Sequence, residues 1–395
     1  MHLFSSLILL PALCHALPSG RDSSSSDTQY TTSAAEKTLN PYPDHRVLAF
    51  RNSSTEGEYN FRLTVFSDVH FGENPWDAWG LEQDRKSLAL MREVLEKDEE
   101  AIDYVVLNGD LITGENTFRE NSTDLINQLL TPFIEHGVPF STTHGNHDNQ
   151  PNITHAAEIE RELSIAPTQS FTRIGDADVG GVGGPGNYWV PVYLHESDPT
   201  PILVLWFFDS RGGFSTTPGQ AIDDWVDDSV AKWIETESAK MNEAWGTEDR
   251  HALAFMHIPS HHIEQTQDEL DSSKTPGQNG DSLGRGSTQD SALATRDQPF
   301  WDSLNTNVKN LIAVVSGHDH GNEWCARESS KDVVFCFAKH SGYGGYSRTG
   351  WGRGVRHFEL TVQEGTEGVN AETWIWVKEG GEERARVTLG EDYGR

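Results

Sequence analysis

Basic residues are scarce in this chain. Thirty lysines and arginines stand against 61 aspartates and glutamates, a formal charge of −31 over 395 residues. No long basic stretch exists, which excludes a surface that tracks a nucleic-acid duplex through its phosphates. Long apolar runs are also missing. The longest candidate, Leu7-Ile8-Leu9-Leu10 with Phe4, Pro11, Ala12 and Leu13, falls short of the roughly 20 residues a membrane span needs. With the small residue Ala16 behind it, this run reads as a signal peptide over residues 1–18. The protein is then expected to be secreted or vacuolar. Cysteine is scarcest, with three residues. Cys14 leaves with the signal. Cys325 and Cys336 flank the polar turn Glu328 to Asp332 and are expected to form a local disulfide, two buried thiols being the alternative. Asn52, Asn121 and Asn152 head Asn-x-Ser/Thr sequons and are candidate glycan acceptors.

The apolar residues that are present, 35% of the chain, gather into strand-like runs. Residues 19–45 are rich in Ser, Thr and Asp and read as a disordered leader. From Phe61 strands and amphipathic stretches alternate: strand Phe61–Ser67, helix Asp84–Lys97, strand Tyr104–Asn108, helix Ser122–His136 (kinked or shortened at Pro132), a strand into Asn146, and a short helix near His155–Leu163. Tyr188–Leu194 and Pro201–Asp209 read as a hairpin, Asp223–Trp245 as a helix, and the tail returns to strands at 333–337, 355–362 and 371–377. This order predicts one α/β domain over 46–380: two packed mixed sheets, a sandwich flanked by helices. The polar stretch 265–298 reads as an insertion, either a lid at the site mouth or a solvated loop.

Five apolar runs end in residues that ligate metals. Thr64–Ser67 leads into Asp68 and His70, and Val105–Leu107 into Gly109-Asp110. Phe140–Thr143 leads into Gly145-Asn146-His147-Asp148, Leu253–Met256 into His257, and Leu311–Ser316 into Gly317-His318-Asp319-His320. Alone, Asp-x-His or a single His is more often structural than functional. Five such strand ends indicate one site. The one-residue spacing in Asp68-x-His70 turns both side chains the same way, and carboxylate with imidazole suits Zn, Fe or Mn. A carboxylate such as Asp110 can bridge two cations, and Gly109 before it permits close approach. Asn146 can ligate through its amide oxygen. His147, next in sequence, should point toward a substrate, with Asp148 placed to hydrogen-bond its imidazole. His261 and His262 follow His257 closely, and His262 is a candidate substrate contact. The donor types exclude a thiolate structural-zinc site and suit two-metal hydrolysis.

In this order and spacing the motifs resemble the calcineurin-like metallophosphoesterase superfamily, over roughly Phe61 to Trp351. Trp206-Phe207-Phe208-Asp209-Ser210, Met256-His257-Ile258-Pro259 and Gly342-Tyr343-Gly344-Gly345-Tyr346 are similar to fungal secreted or vacuolar phosphatases and to plant relatives called purple acid phosphatases. The resemblance implies a two-ion centre of Fe, Zn or Mn. One ion would sit on Asp68, His70, Asp110 and His320, the other on Asp110, Asn146, His257 and His318. It implies phosphate-ester substrates, Asn146 on a phosphoryl oxygen and His147 as general acid. The expected activity is hydrolysis of phosphate monoesters by a hydroxide activated between two metals. A phosphodiesterase acting on nucleotides or lipid headgroups shares such a site; a non-catalytic metal or polyanion binder is the third reading. One position departs from the pattern: Thr113 stands where purple enzymes carry a ferric tyrosine, so their colour should be absent.

Overall fold

The structure is a computed structural model that describes residues 39–97, 101–246, 250–271, 273, 275–283, 295–366 and 368–395. The expected signal and most of the expected leader lie outside the described residues. The first half of the chain runs β1 (Arg51–Asn52), β2 (Glu58–Phe66), α1 (Ala78–Lys97), β3 (Tyr104–Asn108), α2 (Asp124–His136), β4 (Phe140–Thr143) and α3 (His155–Ile165). Then come β5 (Tyr188–Val192), β6 (Leu203–Phe207), α4 (Asp228–Trp245), β7 (His251–Phe255), α5 (His262–Asp268), α6 (Gln298–Asn307) and β8 (Leu311–Ser316). The chain closes with β9 (Cys325–Glu328), β10 (Val333–Phe337), β11 (Gly354–Gln363), β12 (Asn370–Val377) and β13 (Glu382–Leu389).

These strands form the expected pair of mixed sheets. One has the order β13-β12-β11-β2-β3-β4, with β1 beside β2; the other has the order β5-β6-β7-β8-β10-β9. Side-chain alternation along each strand explains the layering. Leu63, Val65 and Val106 from the first sheet meet Leu205, Phe255 and Val315 from the second in a shared core. Their neighbours Phe66, Val105 and Leu107 face outward onto Leu90, Met91, Leu129 and Phe133 of α1 and α2. Trp206, Phe335 and Phe337 face outward from the second sheet onto Trp233, Ile234, Phe300 and Trp301 of α4 and α6.

The arrangement matters for function because the strands that carry ligands are parallel. Phe66 pairs with Leu107, and Leu107 with Thr142. Phe255 pairs with Val315 in the other sheet. Carboxyl ends therefore align within each sheet, and the two sheets present those ends at one rim. There Asn108 Nδ2 donates to the Met256 carbonyl at 3.1 Å, and the His318 N–H donates to Asp68 Oδ1 at 2.9 Å.

Several expectations need correction. The folded region begins before residue 46: Tyr42 is buried, and its hydroxyl donates to the Phe171 carbonyl at 2.7 Å. It also runs past residue 380, because β13 pairs antiparallel with β12. Pro132 does not cut α2, which continues to His136. The carbonyl that proline cannot serve belongs to Gln128, an exposed residue, so water can take its place. The stretch 265–298 is not all loop: α5 occupies its start, and α6 begins at its last residue. Cys325 and Cys336 lie opposite each other across β9 and β10 and are bonded. Of the sequons, Asn52 and Asn121 are exposed, whereas Asn152 uses its side-chain amide to donate to the Thr117 carbonyl at 2.8 Å.

Candidate metal centre

Backbone conformation is the first mark of the site. Asp68, His70, Asp110 and His318 all adopt left-handed φ angles of 52°, 47°, 48° and 73°. Each such residue costs about 1–3 kcal/mol, and such strain gathers where a side chain must be aimed. Gly109 is also left-handed, and a Cβ there would run into the ring of His257. Only glycine lets β3 approach the second sheet this closely.

The side chains converge in two groups. Asp68, His70, Asp110 and His320 bring one ligand atom each within 4.8 Å of one another; Asp110, His257 and His318 do the same. Asp110 belongs to both. Its Oδ2 lies 3.6 Å from His70 Nε2 and 3.0 Å from His257 Nε2. His70 Nε2 and His320 Nε2 turn toward the same point, 3.2 Å apart. The far ring nitrogens are held by the frame: Nδ1 of His257 donates to the Asn108 carbonyl at 2.9 Å, and Nδ1 of His320 to the Tyr346 carbonyl at 2.6 Å. This fixes the tautomer in which Nε2 offers a lone pair to the centre.

These residues fit two cations. The donors are carboxylate oxygens and imidazole nitrogens, a set suited to Fe, Zn or Mn. Asn146 Oδ1 is buried with no hydrogen-bond partner, as expected of an oxygen aimed at an ion. The charge balance agrees. Burial opposes ionisation of Asp68 and Asp110, but the surrounding imidazoles hold both below the usual carboxylate range. Burial likewise opposes protonation of His257, yet Asp110 and Asp68 lift it to about 10. That surplus of negative charge is what bound cations satisfy. Burial, together with the neighbouring His257, lowers His318 to about 4, leaving it a neutral ligand.

His147 stands beside this cluster. Its backbone N–H donates to Asp110 Oδ1 at 2.9 Å, and its ring meets His70 edge-on at 4.7 Å. The side chain is 32% exposed, whereas Asp68, His70, Asp110, His257 and His320 are buried. The partner of its imidazole is Glu115, whose Oε1 lies 2.7 Å from Nδ1. This corrects the expectation placed on Asp148. Asp148 instead accepts the backbone N–H groups of Leu111, Ile112 and Gly145 at 2.9, 3.0 and 2.8 Å, bracing the two loops that carry Asp110 and Asn146. Nothing in the sequence marks Glu115, a loop glutamate five residues past Asp110. Its position in the short 3-10 turn Gly114–Asn116 brings it there.

Burial opposes a charge on His147, but Asp110, Glu115 and Asp148 together raise it to about 9. Of these carboxylates, Glu115 is the one hydrogen-bonded to the ring. If His147 acts as a proton donor, Glu115→Gln is expected to move the alkaline limb of the pH–rate profile to lower pH, because the imidazole loses its proton sooner. A profile superimposable on that of the unmodified protein removes Glu115 from this role.

The ring of His262 stacks on Trp301 and lies tilted 3.9 Å from that of His261, and the charged groups acting on it include Asp297, Glu328 and Asp302. Thr113 places Oγ1 at 3.4 Å from His70 Nδ1, behind a ligand rather than among the ligands.

A model of the calcineurin-like phosphoesterase family matches residues 61–322. The chain belongs to that family. A protein of Arabidopsis thaliana named probable inactive purple acid phosphatase 28 is 28% identical over 84% of this chain and 80% of its own length. Phosphatase DCR2 of Saccharomyces cerevisiae is 27% identical over 80% of this chain, which spans about half (54%) of the yeast protein. Among solved structures, a dimetal phosphatase from Danio rerio superposes with a TM-score of 0.51 at 14% identity, covering 84% of this chain and 99% of that one, and so shares the fold.

Proposed function

We propose that the protein hydrolyses phosphate monoesters. Family membership and the two ligand groups sharing Asp110 support metal-dependent phosphoester hydrolysis. The monoester reading rests on His147, a part-exposed imidazole beside the centre that is hydrogen-bonded to Glu115 and raised by Asp110 and Glu115. Two bound cations supply an activated water and positive charge for the phosphoryl group. The chain's own residues do the rest. Asn146 directs its amide oxygen to the centre and offers its NH2 to a phosphoryl oxygen. His147 meets the second negative charge of a monoester and gives its proton to the departing alkoxide. Asp148 keeps the Asp110 and Asn146 loops in register. The name of the plant relative includes the word inactive, but every ligand the chemistry needs is present in this chain.

The test is a pair of substrates. The chain is expected to prefer p-nitrophenyl phosphate over bis-p-nitrophenyl phosphate by about tenfold or more in kcat/KM, a difference of about 1.4 kcal/mol. Chelator should abolish both activities and added metal restore them. Preference for the diester overturns the monoester reading; ions bound with neither activity leaves a binder. A secretory route, to the outside or to a vacuole, is part of the same proposal. It is supported by the leading apolar run, the Cys325–Cys336 bond and the exposed sequons at Asn52 and Asn121.

A further inference from the structure

One ligand is held far more elaborately than the rest. His320 makes three contacts with a single residue, Tyr346. Its Nδ1 donates to the Tyr346 carbonyl at 2.6 Å, its backbone N–H donates to the Tyr346 hydroxyl at 3.0 Å, and the two rings stack with centroids 4.1 Å apart at 14°. The far face of the imidazole rests on His340 at 4.2 Å. Gly345 lies directly over the ligands. It is left-handed, and a Cβ there would sit 2.5 Å from His320 Cε1 and 2.7 Å from His70 Cδ2. Glu73 accepts its N–H and pins the loop from the other side.

Tyr346 is in turn held by the polar insertion. Its hydroxyl donates to Asp281 Oδ2 at 3.0 Å, and the same oxygen accepts the Gly321 N–H at 2.9 Å. Residues 275–283 are tied down along their length. Asn279 Nδ2 donates to the Gly321 carbonyl and to Glu323 Oε1, Trp351 Nε1 donates to the Asn279 carbonyl, and the Glu323 N–H donates to the Gly277 carbonyl. This part of the insertion is a strap along residues 321–323, beside His320.

We infer that Asp281 and Tyr346 are positioning residues that fix His320 and thereby set the affinity of one ion of the pair, the one held by Asp68, His70, Asp110 and His320. The inference rests on the two-ion reading. Partners behind a ligand typically change metal affinity by about 10–100-fold. Neither residue contacts the group formed by Asn146, His257 and His318 through any of these bonds, so the effect should be one-sided.

The experiment is calorimetric titration of the chelator-stripped full chain with Mn²⁺ alone, for the unmodified protein, Asp281→Ala and Tyr346→Phe, with thermal melts alongside. Asp281→Ala is expected to weaken one of two ions by about tenfold or more and leave the other unchanged. In a His257→Ala background, which disables the other group, it should weaken the ion that remains. Tyr346→Phe keeps the stack and the carbonyl but loses the hydroxyl bridge, so it should shift the same ion by less. Wild-type affinities in both variants, or equal weakening of both ions, overturns the inference. If Asp281→Ala does not fold, Tyr346→Phe decides alone, and an unshifted titration sinks the idea. Two ions bound by a wild-type protein that hydrolyses no phosphate ester refutes the proposed function and leaves this inference standing.

Discussion

Asp110→Asn is expected to empty both halves of the centre. Asp110 is the one residue common to the two ligand groups, with Oδ2 facing His70 on one side and His257 on the other. The amide keeps the shape and one oxygen but loses the charge shared between two cations. Its Oδ1 also accepts the His147 N–H, so the single amide oxygen of the variant cannot serve both that bond and the centre. Activity should fall by more than the roughly 10–100-fold that follows loss of an outer partner, and elemental analysis should find well under two ions per chain. Full two-ion occupancy would place Asp110 outside the bridge.

His147→Ala separates chemistry from metal binding. The ring is part-exposed, belongs to neither ligand group, and pairs with Glu115. Both ions should remain. Turnover of an alkyl phosphate should drop by about 10²–10⁴-fold, the usual contribution of a positioned general acid. Turnover of p-nitrophenyl phosphate should drop far less, because nitrophenolate departs without a proton. Equal losses on the two substrates, or none on the alkyl ester, exclude His147 as the proton donor.

Much of this was legible in the chain. Five apolar runs end in ligands because the fold needs strands of one polarity, and strands of one polarity aim their ends at one rim. The unread parts have physical causes. β13 begins with the charged Glu382-Glu383-Arg384, and the alternation that follows, Ala385, Val387 and Leu389 between polar residues, is too short and opens on too small a side chain to stand out as a strand. Tyr42 anchors a polar stretch with one aromatic ring, too little pattern to distinguish from a leader. Glu115 takes the place expected of Asp148, because sequence adjacency suggests that a neighbour would serve His147. In the fold, Asp148 points back into the backbone amides of two loops, and a residue 32 positions away reaches the ring. For His262 the sequence offers only nearness to His257; in the fold it starts a helix and its ring stacks on Trp301.

Asp68, His70, Asp110 and Asn146 follow strands of one sheet, while His257, His318 and His320 follow strands of the other. The catalytic centre is thus a rivet through the seam of the sandwich. A half-assembled chain owns only part of a coordination shell and cannot cut a phosphate ester. Since ions that bind the finished fold alone draw the equilibrium toward it, the same cations that do the chemistry clamp the two halves shut, and their capture certifies that folding is complete.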